Sequence, residues 1–273
     1  MTTDTRTQQP VAIVTGASSG IGKQCAILLA RKGYHVLLAA RRDDRLQQIA
    51  QECIQAGAAG KVVAVRTDVA REDQVQALVH RAVEDYGRLD VMINNAGYGV
   101  FARVHETTDQ QMRGIFDVNY HGVFYGSKAA AEVMIRQRSG HIFNVSSVIG
   151  KRGTPFHGAY CATKFAVAGL TDSMRVELRP YNVRVTLVCP ALTQTDFFDQ
   201  SSGGGAARSS FVKFKKLMSA EAVARRTVAT IGKGRPELIF TAGGRFLTIV
   251  SCLFPRLADA MMKLYHDDLI KRM

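Results

Sequence analysis

The sequence predicts an α/β fold, with helices covering both faces of a parallel, doubly wound sheet, and three features predict it. Short apolar, β-branched runs recur at residues 11–14, 34–40, 61–66, 89–93, 141–145 and 183–188. Runs of that length with little polar alternation suit strands buried on both faces. Stretches of helical length separate them, which is the order of strand, crossover and parallel strand. The first run also passes straight into Thr15-Gly16-Ala17-Ser18-Ser19-Gly20-Ile21-Gly22, ahead of the helical run 23–32. Glycines there let the loop take unusual φ values and let an anion approach unpaired N–H groups at the positive end of a helix. In such sheets a nucleotide binds at the carboxyl ends of the strands.

A chain of 273 residues can bury a sizeable core in one domain, and one domain is expected. Residues 1–10 are polar, carry no apolar signal region and are expected to fray. Lys and Arg exceed Asp and Glu by 36 − 23 = 13. That balance suits an anionic ligand, an acidic carrier protein or a lipid surface, although the charge is scattered as on any solvated face. No basic block interleaves with aromatics, so no nucleic-acid partner is expected. Cys25, Cys53, Cys161, Cys189 and Cys252 are far apart and form no C-x-x-C pair, which argues against disulfides and a metal site and fits a reducing cytoplasm. No run has the length of a transmembrane helix.

The second strand, 34–40, ends at Ala40-Arg41-Arg42, about 20 residues past the glycine loop. An acid at this place binds the ribose 2′-hydroxyl of NAD; here two arginines can meet the 2′-phosphate of NADP, unless both are plain surface charges. Asp43 and Asp44 suit the start of the helix over 45–56. The third strand, 61–66, closes on Thr67-Asp68-Val69, where Asp68 either reaches an adenine amine or caps the helix over 71–86. The fourth, 89–93, runs into Asn94-Asn95-Ala96-Gly97, small and amide residues that let backbone pass near a cofactor and tie neighbouring strands together.

A helix is expected over 109–137, with Asn119 an oddly polar member that faces solvent or bonds back to its own backbone. Ser146 and Ser147 end the fifth strand, 141–145, and serve as turn formers or as hydroxyl donors. Tyr160 and Lys164, at i and i+4, share one helix face. After the sixth strand, 183–188, Pro190, Ala191, Thr193 and Thr195 turn toward the same edge. Residues 196–218, with a Gly/Ser cluster leading into Phe211, Phe214, Leu217 and Met218, read as a substrate lid or as a bare surface loop. A helix follows to Ile231, then a seventh strand at 237–241. The tail, 245–273, alternates apolar and basic residues, and Pro255 divides it into two helical pieces. It is expected to pack on its own domain, on a subunit or on a membrane surface, and its apolar set around 246–254 is expected near the cleft.

The T-G-x-x-x-G-I-G loop, the Asn-Asn-Ala-Gly stretch and the Ser147, Tyr160, Lys164 set stand in order over residues 11–241. Together they resemble the short-chain dehydrogenase/reductase family and its NADP-preferring members. Ala191 stands where the family usually has Gly, and the family's short Asp-Gly-Gly type ending is missing. The resemblance implies a Rossmann-like, seven-stranded, single-domain fold over 11–244 with an apolar helical extension. It implies a catalytic set of Asn119, Ser147, Tyr160 and Lys164. It also implies an NADP(H) site, preferred over NAD(H), made by Gly16, Ser18, Ser19, Gly20, Ile21, Gly22, Arg41, Arg42, Asp68, Val69, Asn95, Ala96, Gly97, Tyr160, Lys164, Pro190, Thr193 and Thr195, in a homodimer or homotetramer. In those roles Lys164 lowers the pKa of Tyr160, Ser147 donates to the substrate oxygen, and Asn119 holds a water that links Lys164 to solvent. The activity implied is carbonyl–alcohol interconversion on an apolar small molecule. A 3-oxoacyl-carrier-protein reductase, docking its carrier on a basic face with Arg175 and Arg179, and a non-catalytic NADP-binding regulator are the other readings.

Overall fold

A computed structural model of the chain describes residues 9–194 and 217–271. Strands β1 (Val11–Thr15), β2 (His35–Ala40), β3 (Val62–Arg66), β4 (Val91–Asn94), β5 (Gly140–Val145) and β6 (Val183–Cys189) fall where the apolar runs place them. Two short strands not foreseen, β7 (Thr193–Gln194) and β8 (Met218–Ser219), pair with each other ahead of β9 (Glu237–Ile239). The main sheet is parallel and seven-stranded, in the order β3-β2-β1-β4-β5-β6-β9. Because β1 pairs with β2 on one side and β4 on the other, the winding reverses there and a crevice opens at the carboxyl ends.

The continuous apolar runs follow from burial on both faces. In β1, Ala12 and Val14 pack with α1 (Gly20–Arg31) and α2 (Asp43–Gln55), through Cys25, Leu29, Leu46 and Ile49. Val11 and Ile13 pack the other way, against α3 (Glu72–Tyr86), whose Leu78, Val79 and Ala82 are buried there. The helix expected over 109–137 is broken into α4 (Asp109–Phe116), a π-helical turn Asp117–His121 and α5 (Gly122–Gln137). Helices α6 (Gly158–Glu177) and α7 (Ala220–Val228) follow, the latter ending short of Ile231 and capped by the Ser219 hydroxyl on the Ala222 N–H. Pro255 splits the tail as expected, into α8 (Ala242–Leu253) and α9 (Pro255–Ile270), though α8 starts ahead of residue 245. Among the described residues no helix is long and apolar enough to cross a membrane. All five cysteines are free, and Cys252 alone of them is exposed.

One buried histidine ties the sheet together at the end away from the crevice. The Gly232 N–H donates to His141 Nδ1 at 3.2 Å, so Nε2 carries the proton and donates to Thr186 Oγ1 at 2.8 Å, which in turn donates to the Arg235 carbonyl. Burial, with Arg184 nearby, pushes the His141 pKa down to about 3. An unfolded histidine titrates near about 6.5, so below that pH the unfolded chain takes the proton first and stability falls until about pH 3. At about 1.4 kcal/mol per unit this amounts to roughly 4–5 kcal/mol. His141→Gln is expected to flatten the acid limb of urea-unfolding stability against pH, and an unchanged limb refutes this account.

Candidate active site

The glycine loop is built for close approach. Gly16 has φ +64°, and a Cβ there would lie 2.8 Å from Ala96 Cα and from Asn95 Nδ2. The β4 loop closes against it through Thr15, whose hydroxyl accepts the N–H groups of Asn95 at 3.0 Å and Ala96 at 3.1 Å. Asn95 Nδ2 donates to the carbonyls of Thr15 and Gly16. Asn95 thus ties the two strand ends, as the sequence implied, but the hub is Thr15, which sequence reasoning passed over. The first turn of α1 carries no acid, and the Ser19 side chain does not cap it, so its N–H groups face the crevice without a competing anion.

Beneath the next loop, β4, β5, α5 and α6 are stitched by buried amides and hydroxyls. Asn94 Nδ2 donates to Asn144 Oδ1 at 2.9 Å and Ser127 Oγ at 3.0 Å, and Asn144 Nδ2 to Thr171 Oγ1 at 3.1 Å. This fixes the end of β5 against α6 and sets Ser147 beside Tyr160. Their side chains are hydrogen-bonded, while Ser147 Oγ lies 3.4 Å from the Pro190 carbonyl. Lys164, one turn on, donates from Nζ to the Val145 carbonyl at 2.8 Å and stands 5.6 Å from the Tyr160 ring centre.

The fold adds a cause that the expectation for Tyr160 left out, which is burial. Burial raises Tyr160 far above its ordinary value, and the Ser147 hydrogen bond offsets this only in part. Burial also pushes Lys164 down to about 8. Both shifts have burial as their main cause, since it disfavours charge on either group.

Asn119 departs from both expectations of its environment. It is fully buried in the π-helical turn; its Oδ1 accepts the Tyr98 N–H at 3.0 Å, and its Nδ2 donates to the Tyr98 carbonyl at 2.9 Å and to Thr163 Oγ1 at 3.2 Å. A Cβ on Gly97 would lie 3.0 Å from Asn119 Oδ1 and 3.6 Å from Lys164 Nζ, so both flank the same glycine.

A cleft of about 670 Å³ runs along the carboxyl ends. Gly16, Ser18, Ser19, Gly20, Ile21, Arg41, Arg42, Asp68, Val69, Asn95, Ala96, Gly97, Ser147, Tyr160, Lys164, Pro190 and Thr193 all line it. Gly22 and Asn119 stand behind the wall, and Thr195 lies outside the described residues, as does most of the expected lid. Of that lid, Met218 pairs with Thr193. Arg42 Nη2 is 3.2 Å from Ser18 Oγ, so the end of β2 and the glycine loop meet. Asp68 Oδ1 accepts the Ala70 N–H at 3.1 Å, and Arg71 rather than Asp68 is the N-cap of α3. Ala191, where the family usually has Gly, is not at positive φ, so the side chain costs the turn nothing.

The cleft also holds residues that sequence reasoning missed: Tyr98, Thr154, His157, Met262 and Tyr265. His157 sits three residues before Tyr160, a spacing that was there to be read. The other end of the cleft is closed by the tail. Phe156, at φ +63°, stacks on Phe101 and on His266 of α9, while Asp259 of α9 pairs with Arg152. Of the tail's apolar set, Leu247 reaches the cleft, but Phe246, Ile249, Leu253 and Phe254 face outward, so that part of the expectation is corrected.

Comparison with known proteins agrees with this geometry. An uncharacterized oxidoreductase of Staphylococcus saprophyticus is 36% identical over 217 residues, covering 79% of this chain and 87% of the relative. The uncharacterized oxidoreductase YxnA of Bacillus subtilis is 31% identical, covering 96% of this chain and 74% of its own. Among solved structures, a short chain dehydrogenase/reductase from Burkholderia phymatum in complex with NAD superposes with TM-score 0.79 at 29% identity, covering 97% of this chain and 96% of that one. An alcohol dehydrogenase from the archaeon Thermococcus sibiricus complexed with 5-hydroxy-NADP gives TM-score 0.73 at 29% identity, over 84% and 95% of the two chains. With the family model described as short chain dehydrogenase matching residues 10–204, the chain belongs to that family of oxidoreductases and is a dehydrogenase acting on CH–OH groups.

Proposed function

We propose that the protein is an NADP(H)-dependent oxidoreductase that interconverts a carbonyl and a primary or secondary alcohol on an apolar substrate. The observation that carries the reading is the convergence of Ser147, Tyr160 and Lys164 on one cleft. Arg41 and Arg42 line that cleft at the β2 end, and Leu247, Met262 and Tyr265 enclose it from the tail. The cleft fits a dinucleotide on its own terms: Gly16, at φ +64° and packed against Asn95 and Ala96, leaves no room for a side chain that would push the loop out of shape, and the start of α1 presents N–H groups for a pyrophosphate. Arg41 and Arg42 would hold the 2′-phosphate, and Lys164 the nicotinamide ribose hydroxyls.

When bound, the nicotinamide supplies or takes the hydride. The chain's own residues handle the proton. In the reducing direction Tyr160, kept protonated by burial, gives the proton from Oη to the carbonyl oxygen, while Ser147 Oγ donates a hydrogen bond to that oxygen as charge develops. In the oxidising direction the acceptor is the Tyr160 phenolate, which takes the alcohol proton and becomes the phenol again; the Lys164 ammonium favours that phenolate against the burial that opposes it. Asn119, pinned to Tyr98, keeps the π turn open beside Lys164 and holds the water through which that lysine meets solvent.

The protein acts as a cytoplasmic homo-oligomer. Free cysteines support a reducing compartment, and exposed Phe124 on α5 with Phe165 and Val176 on α6 supports subunit contacts.

A homologous series of methyl alkyl ketones tests the apolar reading. Each methylene taken into the cleft contributes about 0.8 kcal/mol, so kcat/KM with NADPH is expected to rise roughly fourfold per carbon until the cleft is full. A flat or falling series overturns it.

A further inference from the structure

The tail that closes the cleft also carries an apolar face exposed among the described residues, and we propose that this face seats the protein on an anionic lipid bilayer. Thirteen large apolar side chains are exposed among the described residues, and seven of them fall between Phe246 and Ile270. Exposed apolar residues so crowded into one segment mark an interaction site, whereas single exposed ones do not.

Helical geometry sorts the two faces. On α8, Phe246, Ile249 and Leu253 stand at i, i+3 and i+7 and are exposed, while Val250 is buried and Leu247 lines the cleft. On α9, Leu257 and Leu264, seven residues apart, share the outer face, whereas Ala258 and Leu269 are buried and Met262 and Tyr265 line the cleft. The hairpin therefore has one face for the domain and one left exposed among the described residues.

Charge selects the occupant. Arg256 and Lys263, also seven apart, form an exposed row beside Leu257 and Leu264, and Arg245 lies exposed beside Phe246. The exposed acids of α9 are already engaged, Asp259 with Arg152 and Asp267 with His266. An isologous pairing of two copies would bring basic row against basic row. An anionic lipid surface instead takes the apolar stripe into its headgroup boundary and lets the long basic side chains reach lipid phosphates. Since no described helix can cross a membrane, the hairpin lies on the surface.

The inner residues of the same hairpin line the cleft, so seating it places the cleft beside the lipid from which an apolar substrate would enter. That delivery role rests on the proposed apolar carbonyl activity; the seating does not.

Flotation of the full chain with vesicles of phosphatidylcholine alone, or of phosphatidylcholine with phosphatidylserine, tests the seating. Binding to the phosphatidylserine vesicles is expected, and it should weaken as salt is raised. Phe246→Ser/Leu253→Ser/Leu257→Ser and, separately, Arg256→Glu/Lys263→Glu should each cut the bound fraction by about tenfold. Thermal melting, and turnover of a water-soluble ketone where present, should match the parent and show that the variants fold. The proposal is overturned if the parent does not float with phosphatidylserine vesicles or if folded variants float as well as the parent. It is also overturned if the serine variant halves the particle mass by light scattering without losing vesicle binding, which would give the face to a second copy.

Discussion

Tyr160→Phe is expected to lower kcat for ketone reduction by about 10³-fold or more, at the upper part of the range for a general acid, while NADPH affinity stays near the parent's. The ring keeps its packing and Lys164 keeps its bond to the Val145 carbonyl, so the cofactor end of the cleft is undisturbed and the lost group is the proton donor. Burial strengthens the case. It holds the Tyr160 proton on past neutral pH, so at pH 7 the side chain is a competent acid throughout the population. Steady-state kcat and a fluorescence titration with NADPH separate the two effects. Residual turnover within tenfold of the parent would assign the proton to another group.

Much of this site was legible because its chemistry is local. Tyr160 and Lys164 meet through helix spacing alone, and the glycine loop declares itself by lying between a strand and a helix. The strands were legible because burial on both faces leaves no polar alternation, whereas β7 and β8, with two residues each, have no periodicity to read. The break at Asp117–His121 was hidden for another reason. What holds Asn119 inside is a pair of bonds to the backbone of Tyr98, 21 residues away, and no helical pattern encodes that. The tail shows the same boundary. Pro255 announces two helices, but the inward turn of Leu247 and the outward turn of Phe246 depend on what the hairpin packs against. Burial around Tyr160 belongs to the same level: an ammonium beside a phenol reads as acidifying from spacing alone, while the packing that pushes the phenol the other way comes only with the fold.

Arg41→Asp is expected to invert cofactor choice, turning the proposed preference for NADPH into one for NADH. The argument rests on three adjacent positions. Ala40 leaves no acid at the end of β2 to accept the ribose 2′-hydroxyl, while Arg41 and Arg42 both line the cleft there. Arg42 Nη2 stands 3.2 Å from Ser18 Oγ, which places the guanidinium next to the loop that would hold the pyrophosphate. A charge-assisted contact to a phosphate contributes about 1.5–3 kcal/mol, and an aspartate repels the same group while accepting from a free hydroxyl. Losing one and gaining the other should swing the ratio of kcat/KM values on the order of a hundredfold. Both arginines are exposed, so the effect sits toward the lower end of that range and shrinks with salt. Initial rates with NADPH and NADH, on one ketone and at two ionic strengths, decide it. A parent that uses the two cofactors equally, or a variant that still favours NADPH, would move the 2′-phosphate away from the end of β2.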